Sequence, residues 1–230
     1  MTQRSILAGK NQTIIIKVGA SVTVKGHDSD MAMVETKENW GVSLERRSES
    51  QIGRARAALG ERVLFDWKIK VPTLGERKTD NEVIEVQLGG SGEVLVPFSS
   101  NLKVYAGKDI DIRDLQGQVD AYSGMNLNLQ YVYRLGNTSA GRAMNIDCQT
   151  MAGDDVRFGC GNDLRFYVAD LTSVRLRVKD IGGYWEARIG AGEKSVYLKS
   201  GGDVTFVTDQ TVEPLPPNYI LGKIEKPPTG

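Results

Sequence analysis

The stretch that decides the fold is Ala106-Gly-Lys-Asp-Ile-Asp-Ile112, because its pattern recurs along the chain. The pattern is a small residue, a glycine, two mostly polar residues, and two apolar residues separated by one residue of any kind. The other instances are Ser123-Gly-Met-Asn-Leu-Asn-Leu129, Ala140-Gly-Arg-Ala-Met-Asn-Ile146, Ala152-Gly-Asp-Asp-Val-Arg-Phe158, Cys160-Gly-Asn-Asp-Leu-Arg-Phe166 and Ser200-Gly-Gly-Asp-Val-Thr-Phe206. Six instances in one chain indicate a repeat architecture.

The first three instances begin at residues 106, 123 and 140, at a constant interval of 17 residues. Segments that open with an aspartate and an aliphatic residue, such as Asp114-Leu-Gln-Gly, lie between them. One turn of the repeat is therefore expected to hold more than one strand and roughly 17 to 22 residues. A strand with two inward aliphatic residues cannot bury its apolar face alone, so equal units must stack.

The sequence predicts an all-β fold, a parallel β-solenoid built from short repeats with a glycine at each corner. The glycines are expected to supply corner conformations with positive φ, which other residues adopt only at a cost in free energy. An antiparallel β-sandwich is the alternative, because its strand spacing and turns are similar.

Two inward-facing columns are predicted along the axis of the stack, where equivalent residues of successive turns lie about 4.8 Å apart. The first column is Ile110, Leu127, Met144, Val156, Leu164 and Val204. The second column is Ile112, Leu129, Ile146, Phe158, Phe166 and Phe206. The residues predicted to point to water between them are Asp111, Asn128, Asn145, Arg157, Arg165 and Thr205.

Three regions are predicted along the chain. Residues 1–90 form an N-terminal β region or cap that continues into the repeats, residues 91–212 form the solenoid, and residues 213–230 form a proline-rich tail or cap. Residues 45–78 are the one locally basic stretch; within it, residues 51–59 are compatible with a helical turn and residues 63–71 alternate as a strand.

The charge balance excludes some classes of protein. The chain has 29 basic and 29 acidic side chains, which argues against the broad basic surface of a nucleic-acid or anionic-membrane binder. No export signal and no apolar stretch of membrane-spanning length, roughly 18 residues, is recognised. The expected location is cytoplasmic for a chain without a leader, and the cell surface if a leader has been removed.

A family resemblance rests on the segment Gly92-Glu-Val-Leu-Val-Pro97-Phe-Ser-Ser-Asn-Leu-Lys-Val-Tyr-Ala-Gly107-Lys-Asp-Ile-Asp-Ile-Arg-Asp-Leu-Gln-Gly117 and on Ile16-Lys-Val-Gly-Ala-Ser-Val-Thr-Val-Lys-Gly26. It covers most of residues 10–210. The chain resembles the bacterial adhesin-like family of β-strand-repeat domains of unknown function, neighbours of the head GIN domains. The resemblance implies a right-handed β-solenoid, and it supplies no catalytic residue.

No catalytic residue, cofactor-binding residue or metal ligand is predicted. His27, the one histidine, lies in a predicted exposed turn with Asp28 and Asp30, whose spacing opens a calcium loop. The glycine and the bidentate glutamate of such a loop are missing. Residues 153–155 and 159–163 imitate part of a calcium-binding repeat in one copy only, and residues 190–195 lack the Gly-Lys pair of a phosphate loop.

Two pairs of aspartates are the remaining candidates for acid/base chemistry. They are Asp109 with Asp111 and Asp154 with Asp155. Each is predicted at an outward or corner position where water solvates it, whereas a raised pKa needs burial. Catalysis by these groups is the weakest of the functional hypotheses.

The cysteines, tryptophans and arginines are interpreted structurally. Cys148 and Cys160 lack C-x-x-C spacing and are predicted to be buried thiols, with a disulfide as the alternative in an exported chain. The tryptophans Trp40, Trp67 and Trp185 are predicted in the core or in a cap. The arginines of residues 46–62 are predicted in a solvated loop, and an acidic partner or nucleic acid is the alternative.

Three functions remain open. The leading hypothesis is a non-enzymatic structural or interaction module that displays ladders of polar side chains and assembles through its ends or edges. The second is carbohydrate or small-ligand binding on one face, and the third is a carbohydrate-active enzyme with paired aspartates. The candidate binding platforms are Tyr105, Tyr122, Tyr131, Tyr133, Tyr167 and Tyr197. The expected partner is a second copy of the chain, another protein or a glycan, with no cofactor, no nucleic acid and no membrane span.

Overall fold

The computed structural model describes residues 2–8, 12–37, 41–48, 82–170, 173–215 and 223–227. Several predictions concern residues outside these ranges. They are the predictions for residues 51–59 and 63–71, for Trp40 and Trp67, and for the arginines between residues 48 and 62. The described part of the chain contains strands and no helix, and so no helix that could cross a membrane.

The strands follow one another along the chain with short turns between many of them. In chain order they are β1 (Thr2–Leu7), β2 (Thr13–Val18), β3 (Val22–His27), β4 (Met31–Thr36), β5 (Ser43–Ser48), β6 (Glu82–Leu88), β7 (Gly92–Pro97), β8 (Asn101–Ala106), β9 (Ile110–Ser123), β10 (Leu127–Ala140), β11 (Met144–Met151), β12 (Asp155–Cys160), β13 (Leu164–Val168), β14 (Val174–Asp180), β15 (Gly183–Ile189), β16 (Lys194–Ser200), β17 (Val204–Val207), β18 (Glu213–Pro214) and β19 (Lys223–Glu225).

Hydrogen-bonded neighbours arrange these strands in two series, which we call the front face and the back face. The front face has the order β5, β6, β2, β8, the second half of β9, the second half of β10, β12, β16, β14, β15 and β18. The back face has the order β1, β4, β7, β3, the first half of β9, the first half of β10, β11, β13, β17 and β19. Apolar residues of both faces belong to one buried cluster.

Most neighbouring strands are parallel, and the sheet is not closed. Antiparallel pairs occur only at the margins of the described strands, as β1–β4, β4–β7 and β5–β6 at one end and β14–β15 and β15–β18 at the other. The fold is therefore all-β and mostly parallel, consistent with a β-solenoid. The antiparallel sandwich does not describe the repeats.

The inward columns are confirmed on the back face. The first runs through Val22, Ile110, Leu127, Met144, Leu164 and Val204. The second runs through Val24, Ile112, Leu129, Ile146, Phe166 and Phe206. All of these side chains are buried. The alternation of apolar and polar residues therefore identifies the core positions of these turns.

One predicted member of each column is wrong. Val156 and Phe158 lie on the front face, where they pair with Val196 and Leu198 of β16. Their segment follows Gly153, which is not a corner glycine, because a Cβ atom added there would meet no atom within 4 Å. Phe158 instead faces the column across the core, with its ring centroid 5.0 Å from that of Phe166.

The corner glycines form a column of their own, but not for the predicted reason. A Cβ atom on Gly107, Gly124 or Gly141 would lie closer than 3.0 Å to the carbonyl oxygen of the glycine in the preceding turn. The same holds for Gly161 and Gly201. These corners do not have positive φ, so the expectation of a left-handed corner is wrong. Glycine is required here because successive backbones approach too closely for a side chain.

Strand order departs from chain order at both ends. At one end β2 lies between β6 and β8, and β3 lies between β7 and β9. At the other end β16 lies between β12 and β14. The first turn of the chain is therefore enclosed by later turns, and β18 and β19 of the tail add to the last strands of the two faces.

Candidate binding groove

A bend within each of the two long strands, β9 and β10, carries the chain from the back face to the front face. In β9 the bend includes Asp114, with φ of 58°, and in β10 it includes Tyr131, with φ of 55°. These are the two non-glycine residues with positive φ in the described part of the chain. Positive φ is rare for an aromatic residue, and such conformations concentrate at functional sites.

The bend at Tyr131 is a β-bulge. Leu129 pairs with Ile146 and Val132 pairs with Cys148, so β10 has one residue more than β11 between the two pairs. A bulge of this kind redirects a side chain. The side chain of Tyr131 is 72% exposed and that of Tyr133 is 53% exposed. Val132 between them is buried, so the two exposed rings stand on an anchored segment.

A groove of about 520 Å³ lies beside this bulge. Its aromatic residues are Phe98, Tyr131, Tyr133 and Tyr167, and its polar residues include Asp114, Gln116, Asp147 and Gln149. Exposed aromatic rings offer flat apolar surfaces, and carboxylate and amide groups offer hydrogen-bond partners for hydroxyl groups. The composition of the groove therefore suits a ligand with both apolar faces and many hydroxyl groups.

The carboxyl group of Asp147 is half-buried in the groove wall. It pairs in register with Tyr167 of the neighbouring strand, and burial raises its pKa. Cys148 lies beneath the groove and is buried, and burial raises the pKa of its thiol, with the nearby charge of Asp147 adding to the effect. Cys148 thus contributes to the floor as an inert apolar residue.

The second cysteine is also unpaired, and neither forms a disulfide. Cys160 is half-buried on the front face, and its Sγ lies 3.7 Å from Oγ of Ser200. Burial raises the pKa of its thiol. Both cysteines are therefore packed structural thiols.

The six predicted tyrosine platforms divide into three groups. Tyr131, Tyr133 and Tyr167 come together in the groove. Tyr105 and Tyr122 stack on each other on the front face, with ring centroids 5.2 Å apart and planes 11° apart. Burial and the charge of Asp120 raise the pKa of Tyr122 to about 12. The last one, Tyr197, lies elsewhere on the front face, in register with Arg157 and Arg177.

The first aspartate pair forms hydrogen bonds within the repeat. Oδ1 of Asp109 accepts from Nδ2 of Asn126 at 2.8 Å, and its other oxygen accepts from Oγ of Ser21 at 3.1 Å. Burial acts to raise the pKa of Asp109, but these hydrogen bonds outweigh it and the pKa is lowered. Asp111 accepts two hydrogen bonds from Arg113, at 2.9 and 2.7 Å.

The second pair is exposed. Asp154 and Asp155 lie before and at the start of β12, and Asp155 lies 3.5 Å from the guanidinium group of Arg157. Neither pair stands in the groove. Within the described ranges, no group of three or more histidine, cysteine, aspartate and glutamate side chains could hold a metal ion.

The remaining candidates occupy structural positions. Nε2 of His27 lies 2.7 Å from the carbonyl oxygen of Met31, across the turn that contains the exposed Asp28 and Asp30. Trp185 is buried on β15, where its Nε1 donates to Asp180 at 3.2 Å. Gly190 and Gly192 have positive φ in the turn between β15 and β16, so this segment leads into a strand.

Two of the basic residues, Arg46 and Arg47, lie on β5. Arg47 forms ion pairs with Glu45 and with the buried Glu85, at 2.7 and 3.0 Å. Lys17 also pairs with Glu85. The described part of the basic stretch is therefore a strand with internal ion pairs, and the prediction of a solvated loop is wrong there.

Sequence reasoning did not predict that Phe98, Asp147 and Gln149 would join the tyrosines. One signal was present in the pattern. Apolar residues fall at positions 127 and 129 and then at 132 and 135, so the alternation changes phase between Leu129 and Val132. A phase change inside a strand indicates a bulge, and it predicts that Tyr131 and Tyr133 point outward.

Comparison with known proteins gave no match to a family model, to a curated protein or to a solved structure. The resemblance to the adhesin-like repeat family therefore stays a prediction. The groove and its geometry are the basis for the functional proposal.

Proposed function

We propose that this protein is a non-enzymatic, adhesin-like interaction module that binds a neutral carbohydrate in the groove beside Tyr131. The observation that carries the proposal is the pair of exposed rings, Tyr131 and Tyr133, on a bulge with positive φ. Sugar rings stack on aromatic faces of this kind, and their hydroxyl groups fit the nearby carboxylate and amide groups. Asp114 and Asp147 favour a neutral ligand over an anionic one.

A rigid support strengthens this proposal. Leu115, Val132 and Cys148 are buried beneath the bend and pair with one another across three successive turns. A site held in its binding conformation loses less conformational entropy when the ligand binds. We further propose that the solenoid is right-handed, because parallel crossover connections are right-handed in nearly all proteins.

The proposed function involves neither catalysis nor filament formation. The repeat aspartates Asp109 and Asp111 take part in hydrogen bonds of the framework, which supports a binding role over hydrolysis. Antiparallel strands at the margins of the described strands support a discrete particle over one that grows by stacking end to end. Surface display of one binding groove is the simplest function for such a particle.

A panel of immobilised neutral oligosaccharides tests the proposed function. We expect the wild type to bind at least one member and the Tyr131→Ala/Tyr133→Ala variant to bind it about tenfold or more weakly, because each stacked ring contributes roughly 1 kcal/mol. Tyr184→Ala is the matched control, since Tyr184 is also exposed and lies outside the groove.

Two results would contradict the proposal directly, and a third would contradict the assignment of the site to the groove. One is a wild-type protein that binds no member of the panel. The other is a double variant that keeps full affinity while its thermal unfolding matches that of the wild type. Equal loss in the Tyr184 control would also remove the groove as the site.

A further inference from the structure

A second surface lies on the front face, away from the groove, on the outer side of β12, β16, β14 and β15. It carries exposed basic side chains at outward positions. They are Arg157, Arg175, Arg177, Lys179, Arg188 and Lys199. We call this surface the cationic face.

The strand register brings these cations together. Arg175 pairs with Arg188, Lys179 pairs with Lys199, and Tyr197 lies between Arg157 and Arg177. Neighbouring strands are about 4.8 Å apart, and outward residues on one strand are about 6.7 Å apart. Like charges directly opposite each other destabilise a sheet. Lys179 and Lys199 are such a like-charged pair without a carboxylate partner among the described residues, whereas Arg175 and Arg188 each have one.

Acidic residues neutralise only part of this charge. Glu186 lies 2.5 Å from Arg175 and 3.6 Å from Arg177, Glu213 lies 2.6 Å from Arg188, and Asp155 lies 3.5 Å from Arg157. Six cations face three carboxylates at the outward positions of β12, β14, β15, β16 and β18, whereas the whole chain has a formal net charge of zero.

Two lysines near the ends of β14 and β16, Lys179 and Lys199, have no carboxylate of their own among the described residues. Within the described ranges, Lys179 and Lys199 take part in no ion pair, in contrast to Arg157, Arg175, Arg177 and Arg188. Gly159 lies in register beside Lys199, and a Cβ atom added there would meet only one atom within 4 Å, at 3.8 Å. The backbone on the β12 side of Lys199 is therefore open to an approaching ligand.

We propose that the cationic face binds a linear polysaccharide that carries one carboxylate or sulfate group on each sugar. The face belongs to regularly paired strands, so it suits an extended chain rather than a compact ligand. Successive sugars repeat at a distance close to the spacing of the strands, and Tyr197 offers one ring among the cations. The net charge is too small for the broad basic surface of a nucleic-acid binder.

The test uses polygalacturonate, a linear polymer with one carboxylate per sugar, and the full chain. Lys179→Gln/Lys199→Gln is the test variant, and Lys37→Gln/Lys108→Gln is the control with the same change in charge at exposed positions elsewhere. We expect the test variant to bind about three- to tenfold more weakly than the wild type, since each exposed charge contributes modestly to binding. We expect the control to keep its affinity.

Two further measurements, one at raised salt and one with a neutral polymer, complete the experiment. Raising NaCl from about 0.05 M to about 0.5 M shortens the screening length and should weaken polygalacturonate binding. Uncharged dextran should not bind to the cationic face. The Tyr131→Ala/Tyr133→Ala variant should keep its polygalacturonate affinity, because the groove is a separate site.

Four outcomes would overturn this inference. They are no binding of polygalacturonate by the wild type, unchanged affinity in the test variant, equal loss in the control variant, and tighter binding of single-stranded DNA at equal charge concentration. Failure of the neutral glycan panel would refute the groove proposal alone, because neutral oligosaccharides do not report on the cationic face.

Discussion

A glycine at each corner of the repeat leaves out the atom that would separate successive turns. Gly107, Gly124 and Gly141 lie directly above one another, and each would place a Cβ atom on the carbonyl oxygen of its predecessor. The repeating glycine was predictable from the pattern, but its role was not. A glycine can recur in a pattern because its backbone has positive φ or because another part of the backbone approaches it closely. Only the structure, in which distant segments stack on each other, distinguishes these two reasons.

Gly153 shows that the sequence pattern alone does not identify a corner glycine. It fits the pattern of a small residue, a glycine, two polar residues and alternating apolar residues, yet its surroundings are open. Any strand that follows an exposed turn can meet this pattern. The turn from Gly141 to Gly161 has 20 residues where the earlier turns have 17, so the regular spacing no longer identifies the corner.

These two environments give a matched pair of substitutions. Gly124→Ala should lower the free energy of unfolding by about 3 kcal/mol, because the added methyl group overlaps with backbone that other turns hold in place. Gly153→Ala should change it by less than about 0.5 kcal/mol, because the methyl group meets open space. Urea denaturation followed by circular dichroism measures both values. Equal effects for the two variants would show that the close packing of the corner glycines does not control stability.

Among the strands, β10 departs from regular geometry at the point where binding is proposed. Its bulge places Tyr131 at φ of 55° and exposes two rings on one short segment. The existence of the strand could be predicted from alternation, and the bulge from the change of phase after Leu129. The groove could not, because Phe98 and Tyr167 reach it from turns that are far away in the sequence.

The positive φ of Tyr131 can be separated from the function of its side chain. Tyr131→Gly should leave the free energy of unfolding unchanged or raise it by about 1 kcal/mol, since glycine adopts this conformation without strain. Carbohydrate binding should fall in the same variant, because the ring is removed. Tyr133→Gly is the control and should destabilise the strand by about 1 kcal/mol, as glycine does in a regular strand.

Urea denaturation and the oligosaccharide panel measure the two properties of these variants. A clear loss of stability in Tyr131→Gly would mean that the ring is needed for packing, and the strained tyrosine would then have a structural role.

The whole molecule is a stack in which the ends differ from the middle. In the middle, parallel strands follow chain order, and this part was predictable because the repeats are similar and adjacent. At the ends, pairs such as Thr13 with Asn101 join residues far apart in the chain. The alternation of apolar and polar residues within a strand is the same whichever strand lies beside it. It therefore does not predict the order of the strands at the ends.

The margins lead to a prediction about assembly. We expect a monomer at all accessible concentrations, because antiparallel strands lie at three of the four margins of the described strands and β5 has the charged residues Glu45, Arg46 and Arg47. Charged side chains on outer strands oppose pairing between molecules. Size-exclusion chromatography with light scattering measures the mass. A mass that grows with concentration would support filament formation through the ends instead.

The column of corner glycines also shows how the chain accommodates insertions. Between Gly161 and Gly201 the chain runs through 40 residues and forms the hairpin of β14 and β15, yet these two glycines are in the same close contact as those only 17 residues apart. A foreign hairpin or a complete domain grafted between Gly182 and Gly183, beyond the hydrogen bond that the backbone N–H of Ile181 donates to the carbonyl oxygen of Gly202, should therefore be carried without disturbing the spacing of the corner glycines. The architecture is a natural carrier for added loops.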